Sequence, residues 1–275
     1  MKEGDKLKQA KVIAVCNQKG GVGKTTTTVN LGIGLANQGK EVLICDMDPQ
    51  SDATASLGWK QPDEIESTLA NLLISNPEQA TSLESSILHH IEGVDLLPAN
   101  IDLSATELHL VNAMCREAIL KNTLACIKKD YDYILIDCPP ALGMLTINSL
   151  VAADSVIIPV QAQYLPAKGM TQLLKTIHDV KRNINPNLSI EGVVLTLVDG
   201  RTNLSRQIAG FLRENYGSHI HIFNSQIPMG IKVAESVSQG KSIYAYKADS
   251  PVAKAYESLT KEVLHGRQRT KEQER

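Results

Sequence analysis

The chain is predicted to be an α/β protein: a mostly parallel, twisted β-sheet flanked by helices on both faces. Three observations carry this. Short apolar, β-branched runs alternate with longer amphipathic segments along the 275 residues, the pattern of repeated strand–helix units. Several of the runs are nearly continuous in Val, Ile and Leu, as strands covered on both faces require. The first run opens into a glycine-rich loop that leads straight into a helical pattern.

Strands are expected at residues 11–16, 41–46, 94–98, 133–137, 155–160 and 192–198, each an apolar run. The helix expected at 25–38 stops at Gly39, a residue suited to the left-handed turn that closes helices. A long helix at 104–129 opens with Ser104-x-x-Glu107, the spacing of a capping box. The helix at 167–183 places Met170, Leu173, Leu174 and Ile177 on one face. Helices at 202–215 and 251–264 complete the set, the second with Pro251 at its start. Residues 60–92 are polar and short-patterned and yield no assigned element. The expected organisation is a flexible N-terminus at 1–10, a single domain over 11–264, and a charged, disordered tail at 265–275.

Composition narrows the function classes. The hydrophobic fraction of 43% is that of a globular domain. No run of about 18 apolar residues suggests a membrane span. The first residues, MKEGDKLKQAK, lack the apolar core of a signal peptide, so a cytoplasmic location is expected. Cys16, Cys45, Cys115, Cys126 and Cys138 form no C-x-x-C pair and are read as buried small hydrophobes, which disfavours an iron–sulfur or zinc site. The net charge of −2 hides an asymmetry: residues 1–164 carry 12 Lys+Arg against 20 Asp+Glu, and residues 165–275 carry 16 against 10. On charge alone this reads equally as the footprint of a polyanionic partner or as a surface that averages out in three dimensions.

The chemistry concentrates in residues 11–28, KVIAVCNQKGGVGKTTTT. A phosphate-binding loop reads G-x-x-x-x-G-K-[ST]. Counting back from Gly23-Lys24-Thr25, its first glycine falls on Gln18, and Lys19 follows. The loop therefore carries two lysines. Gly20, Gly21 and Gly23 let the backbone turn its N–H groups toward phosphate oxygens, and the helix that follows adds its positive end. Lys19, Gly20, Gly21, Val22, Gly23, Lys24, Thr25 and Thr26 are the expected nucleotide contacts, with Lys24 on the β- and γ-phosphates and the Thr25 hydroxyl on Mg2+. Two acidic strand ends support the site. Asp137 closes the apolar run 133–137, where such proteins hold the metal through water. Asp46 and Asp48, two apart on an extended strand end, face the same side. One can help hold the metal while the other orients a water.

The motifs KGGVGKTT, DMDPQ (46–50) and LIDCPP (135–140) together resemble the ParA/MinD group of deviant Walker A, P-loop ATPases. The segments 159–169, 197–203 and 227–243 are similar to its ParA/Soj partition branch, closest to ParA proteins of plasmids and conjugative elements. The resemblance spans about residues 11–264. It implies ATP and Mg2+ as cofactors and an ATPase that closes into a homodimer around two nucleotides. Lys19 is implied to reach the partner's triphosphate, Asp48 to activate the hydrolytic water, Asp46 and Asp137 to stand on the metal side, and Pro228 to pack the adenine. It further implies non-specific double-stranded DNA binding once dimerised, a nucleoid-associated location, and hydrolysis stimulated by a ParB-like partner. The family's DNA-contacting positions fall on Arg201 and Lys232, with Arg206 a further candidate. Lys181, Arg182 and Arg213 are other nearby cations. Two departures stand out: Met229 replaces a family arginine, and Ser51-Asp52 replaces the usual Gly-Asn. The alternative is a MinD-like membrane-positioning ATPase, but the tail HGRQRTKEQER has no bulky apolar residues to enter a bilayer.

Overall fold

The computed structural model of the protein describes residues 9–74, 80–162 and 167–273. Part of the expected flexible N-terminus (1–8), part of the segment 159–169 (163–166) and the last two tail residues lie outside the described residues. Among the described residues one sheet is built from β1 (Lys11–Val15), β2 (Val42–Asp46), β3 (Leu88–His89), β4 (Asp95–Leu97), β5 (Tyr133–Asp137), β6 (Ser155–Gln161), β7 (Ser189–Val198) and β8 (Ile222–Pro228). The spatial order is β3-β4-β2-β5-β1-β6-β7-β8. Neighbours pair parallel except the two-residue edge strand β3, which runs antiparallel to β4. The helices are α1 (Lys24–Ala36), α2 (Asp52–Ser56), α3 (Leu69–Ile74), α4 (Ala80–Ser85), α5 (Asp102–Val111), α6 (Ile119–Ala125), α7 (Met144–Ala152), α8 (Ala167–Asn183), α9 (Asn203–Tyr216), α10 (Ile231–Ser238), α11 (Ile243–Lys247) and α12 (Pro251–Gln273).

Alternate strand residues feed two separate cores, because successive side chains of a strand point to opposite faces. Val12, Ala14, Leu43, Cys45, Ile134 and Ile136 pack with α3 and α5–α9. Ile13, Val42, Ile44, Tyr133 and Leu135 pack with α1 and α12. Helix α1 can lie close to the sheet because Gly32 presents only hydrogen toward β2: a Cβ there would sit 2.9 Å from the Ile44 side chain. Gly39 has φ +71° and closes α1 as the sequence implied. The chain leaves β1 toward β2 on one side and later passes from β5 to β6 on the other. The strand order thus reverses beside β1, and the crevice at the carboxyl ends of the strands opens there.

All six expected strands are present. Two were missed: β3, which is only two residues long, and β8, whose apolar run is broken by Asn224-Ser225. That break is structural. Pairing of β7 with β8 shifts register between Val193 and Leu195. In the shifted stretch Glu262 of α12 accepts hydrogen bonds from Asn224 N (2.9 Å) and Ser225 N (2.8 Å).

The expected helix at 104–129 is two helices, α5 and α6. No Gly or Pro marks the break; tertiary bonds impose it. The buried Asn148 of α7 accepts from Leu120 N (3.1 Å) and donates to Arg116 O (2.8 Å), and Cys115 adopts φ +51°. The capping box also fails. Helix α5 begins at Asp102, and Glu107 reaches instead to Leu145 N (3.3 Å) in the first turn of α7. Helix α7 itself gave no amphipathic stripe because it is buried on nearly every side. Helix α12 continues to Gln273 rather than stopping at 264, since Arg, Gln, Lys and Glu in that stretch are good helix formers. Of the cysteines, Cys16, Cys45 and Cys138 are buried as expected, whereas Cys115 and Cys126 are exposed, the first in the α5–α6 turn and the second at the end of α6. The fold also brings two free cysteines together: the buried thiols of Cys16 and Cys138 lie side by side.

Candidate functional site

The glycine-rich loop runs from the end of β1 into α1. Gly21 (φ +69°) and Gly23 (φ +81°) occupy the left-handed region that glycine adopts freely. Gly23 caps α1 without any side-chain cap, and the first turn carries no acidic residue. The first N–H groups of α1 therefore face the crevice, an arrangement that attracts anions. Lys24 stands in that turn and is buried. Neighbouring strands brace the loop: Asn17 Nδ2 donates to Pro159 O (2.6 Å), Asn17 Oδ1 accepts from Lys19 N (3.0 Å), and Thr196 Oγ1 donates to Val22 O (2.8 Å). Pro159 is tolerated inside β6 because β1 has already ended beside it, and Asn17 takes up the carbonyl that a continuing strand would have bonded.

Three carboxylates meet the loop. Asp46 and Asp137 are register partners at the ends of β2 and β5, and both are fully buried. Asp46 is held through both oxygens: Oδ2 accepts from Thr54 N (2.9 Å) and Thr54 Oγ1 (2.7 Å), and Oδ1 from Asp48 N (3.2 Å). Burial pushes its pKa from 3.8 up to about 7 despite these bonds. Asp137 accepts from Thr28 Oγ1 (3.2 Å) through Oδ1, while its Oδ2 is buried without a partner. Burial, then the Asp46 charge, raises its pKa, and the Thr25 hydroxyl and Lys24 oppose that rise. Asp48 lies just beyond, with Oδ1 accepting from Gln50 N (3.0 Å). Among the described residues no group of three His, Cys, Asp or Glu is placed to hold a metal by itself. The donor set nevertheless fits Mg2+, which keeps several waters and takes one or two protein oxygens beside phosphates. The orphaned Asp137 Oδ2 next to Thr25 is the atom such a hydrated ion would satisfy.

Comparison with known proteins decides the family. Residues 10–190 match the family described as an AAA domain. The chain is 44% identical over 253 residues to the sporulation initiation inhibitor protein Soj of Bacillus subtilis, covering 92% of this chain and 98% of Soj. It is 39% identical over 256 residues to the chromosome partitioning protein ParA of Caulobacter vibrioides, covering 92% and 94%. The chain belongs to the Soj/ParA family of partition ATPases.

Solved structures agree on the fold. A cobyrinic acid a,c-diamide synthase from Mycobacterium smegmatis with bound ATP analog and magnesium has a TM-score of 0.79 at 37% identity, covering 93% of this chain and 94% of that one. Apo McdA from Cyanothece has a TM-score of 0.79 at 26% identity, covering 93% and 99%.

Within this Soj/ParA chain, the second loop lysine is exposed, and Lys19 Nζ donates to Gln161 Oε1 (3.3 Å) at the end of β6. The sequence also singled out Ser51-Asp52. Ser51 has φ +57° and caps α2 without a side-chain bond to its amides. It thus holds the backbone shape that the more usual glycine takes without strain, at a cost of about 1 kcal/mol. Asp52 is exposed, and partial desolvation and then the Asp48 charge raise its pKa.

Pro228 ends β8 opposite Val198, so the loops after β7 and β8 adjoin at the same sheet edge as the phosphate loop. Arg201 lies in the first of these and Lys232 in α10, just after the second. Both are exposed and ion-paired: Arg201 Nε and Nη2 to Asp199 (2.9 and 3.0 Å), and Lys232 Nζ to Glu235 (2.7 Å). Arg206 is exposed on α9, and Met229, directly after β8, is 55% exposed. Residues that the motif reading missed are those that brace the site: Asn17, Thr28, Thr54 and Thr196.

The buried acid pair makes a pH prediction. A carboxylate whose folded pKa is raised adds stability that is complete below its unfolded pKa and is lost as pH rises through the folded value. Asp46 should therefore cost the nucleotide-free protein stability between pH 3.8 and about 7, by on the order of a few kcal/mol. In denaturant unfolding from pH 5 to 8, Asp46→Asn should have a flatter pH profile than wild type. Identical slopes would mean that Asp46 does not titrate in this window.

Proposed function

We propose that this protein is an ATP-dependent dimerising ATPase that binds DNA without sequence preference. It acts in partitioning plasmid, chromosomal or mobile-element DNA, at the nucleoid of the cytoplasm. One observation carries the reading: a single sheet edge gathers an uncapped helix start, two loop lysines and the three carboxylates Asp46, Asp48 and Asp137. The loop amides from Gly20 to Thr26 cradle the triphosphate, and Lys24 neutralises its β- and γ-oxygens. Thr25, Asp46 and Asp137 would hold Mg2+, which when bound would supply charge neutralisation on the phosphates. Asp48 orients the attacking water and accepts its proton. Lys19 crosses to the partner's nucleotide, so that ATP holds two copies together and hydrolysis releases them. Pro228 packs against the adenine.

The loops after β7 and β8 give the DNA reading. Arg201, Arg206 and Lys232 offer charge to phosphates, with Arg201 and Lys232 exchanging Asp199 and Glu235 for the DNA backbone. A ParB-like partner stimulates hydrolysis and ends the bound state. Membrane association is not part of the proposal: among the described residues no helix is long and apolar enough to cross a membrane.

The test is DNA binding with ADP, ATP and a slowly hydrolysed ATP analogue at two salt concentrations. Binding is expected with ATP and the analogue, to unrelated sequences alike. It should weaken about tenfold or more between 50 and 200 mM salt, as counterion release requires. Equal binding in ADP and ATP would remove the switch. ATP-driven co-sedimentation with liposomes and none with DNA would favour the MinD-like alternative.

A further inference from the structure

Helices α2 and α10 end against each other in an unusual way. Both close on a glycine with positive φ, Gly58 at +103° and Gly240 at +63°. At α2, Gly58 N donates to Ala55 O (3.1 Å) and Trp59 N to Thr54 O (3.3 Å). At α10, Gly240 N donates to Val237 O (3.0 Å) and Lys241 N to Ser236 O (3.1 Å). These are matching helix stops. The two glycines touch: a Cβ on Gly240 would lie 2.5 Å from Gly58 Cα. Lys60 then spans the pair. Its Nζ donates to Ala55 O at 2.9 Å and also to Val237 O, the two carbonyls that already accept the glycine amides. A cation at the negative ends of two helices is favourably placed.

What lies on either side of this bridge gives it meaning. Helix α2 is fixed to the acidic strand end, because Thr54 donates both its amide and its hydroxyl to Asp46. It starts at Asp52, directly after the Asp48–Ser51 turn. Helix α10 carries Lys232, whose partner Glu235 also accepts from Tyr246 Oη (2.6 Å). The bridge therefore joins the helix that follows the Asp48 turn to the helix that carries Lys232.

We propose that Lys60, with the Gly58–Gly240 contact, is a positioning bridge that transmits the nucleotide state from the Asp48 turn through α2 to α10. When a γ-phosphate occupies the site, the Asp48–Ser51 turn is held and α2 with it, and the bridge sets α10. The proposal rests on the nucleotide-switched reading above, and its test does not use DNA.

The experiment is hydrogen–deuterium exchange of residues 231–238 in the full chain, with ADP and with a slowly hydrolysed ATP analogue. Wild type should exchange about fivefold or more slowly with the analogue, the lower range for coupled sites. In Lys60→Met the difference should fall below about twofold, with nucleotide affinity unchanged, and Lys60→Arg should restore it. Gly240→Ala, which forces the two helix ends apart, should reproduce the loss by a different route. Lys60→Met with the full wild-type difference would overturn the proposal, as would a wild-type α10 that ignores the nucleotide. A purely stabilising lysine would raise exchange equally in both states. If the bridge behaves as expected and the wild type still fails to bind DNA, the partition reading of α10 fails and the bridge stands.

Discussion

Replacing Lys19 by alanine is expected to slow ATP hydrolysis about a thousandfold while nucleotide binding stays within a few-fold of wild type. The loop's two lysines occupy different surroundings. Lys24 is buried at the head of α1, where the proposed mechanism sets it on phosphate held by its own chain. Lys19 is exposed on the outer turn, its backbone tied to Asn17 and its ammonium resting on Gln161. A cation so placed adds little to nucleotide binding within one chain but is well positioned to meet a second copy's triphosphate. Charge supplied in trans to a transferring phosphoryl group is worth about 10³–10⁵ in rate. Light scattering with and without ATP checks the companion expectation: wild type dimerises with ATP, and Lys19→Ala stays monomeric. Normal ATP-driven dimerisation and turnover in the variant would remove the trans role.

Asp48→Ala should produce the opposite phenotype, a nucleotide-loaded dimer that cannot reset. Asp46 is locked by Thr54 and the Asp48 amide, and Asp137 sits deep beside Thr25 and Thr28. Asp48, further out, is the carboxylate to which the proposed mechanism assigns the water at the γ-phosphate. Loss of a positioned base costs about 10²–10⁴ in rate. Single-turnover hydrolysis should fall by that factor, and the dimer should persist on DNA after free ATP is removed. Hydrolysis within tenfold of wild type would shift the base role away from Asp48.

The parts legible in the sequence were those encoded by contiguous residues. The phosphate loop, the acidic strand ends and the six main strands each occupy a single run, so pattern and spacing sufficed. The braces were not legible. Thr196 reaches Val22 across 174 positions and Asn17 reaches Pro159 across 142, and a lone Thr or Asn carries no local sign of such a bond. The break between α5 and α6 was invisible for the same reason: Asn148, from another helix, takes over the bonds that a continuous helix would have made. Glu107 matched a local capping spacing, but the fold used it on the start of α7. The pairing of Gly58 with Gly240 needed the fold before either glycine meant anything.

The irregular strand β8 has a consequence for life in a crowd. On the proposed function many copies gather on DNA, and at high local concentration an open sheet edge invites strand-to-strand growth into fibres. Here that edge is distorted by its register shift, and Glu262 already holds the Asn224 and Ser225 amides. The opposite edge is the two-residue β3. Both margins are poor templates for another chain, so the proposed ATP-dependent association falls to other surfaces.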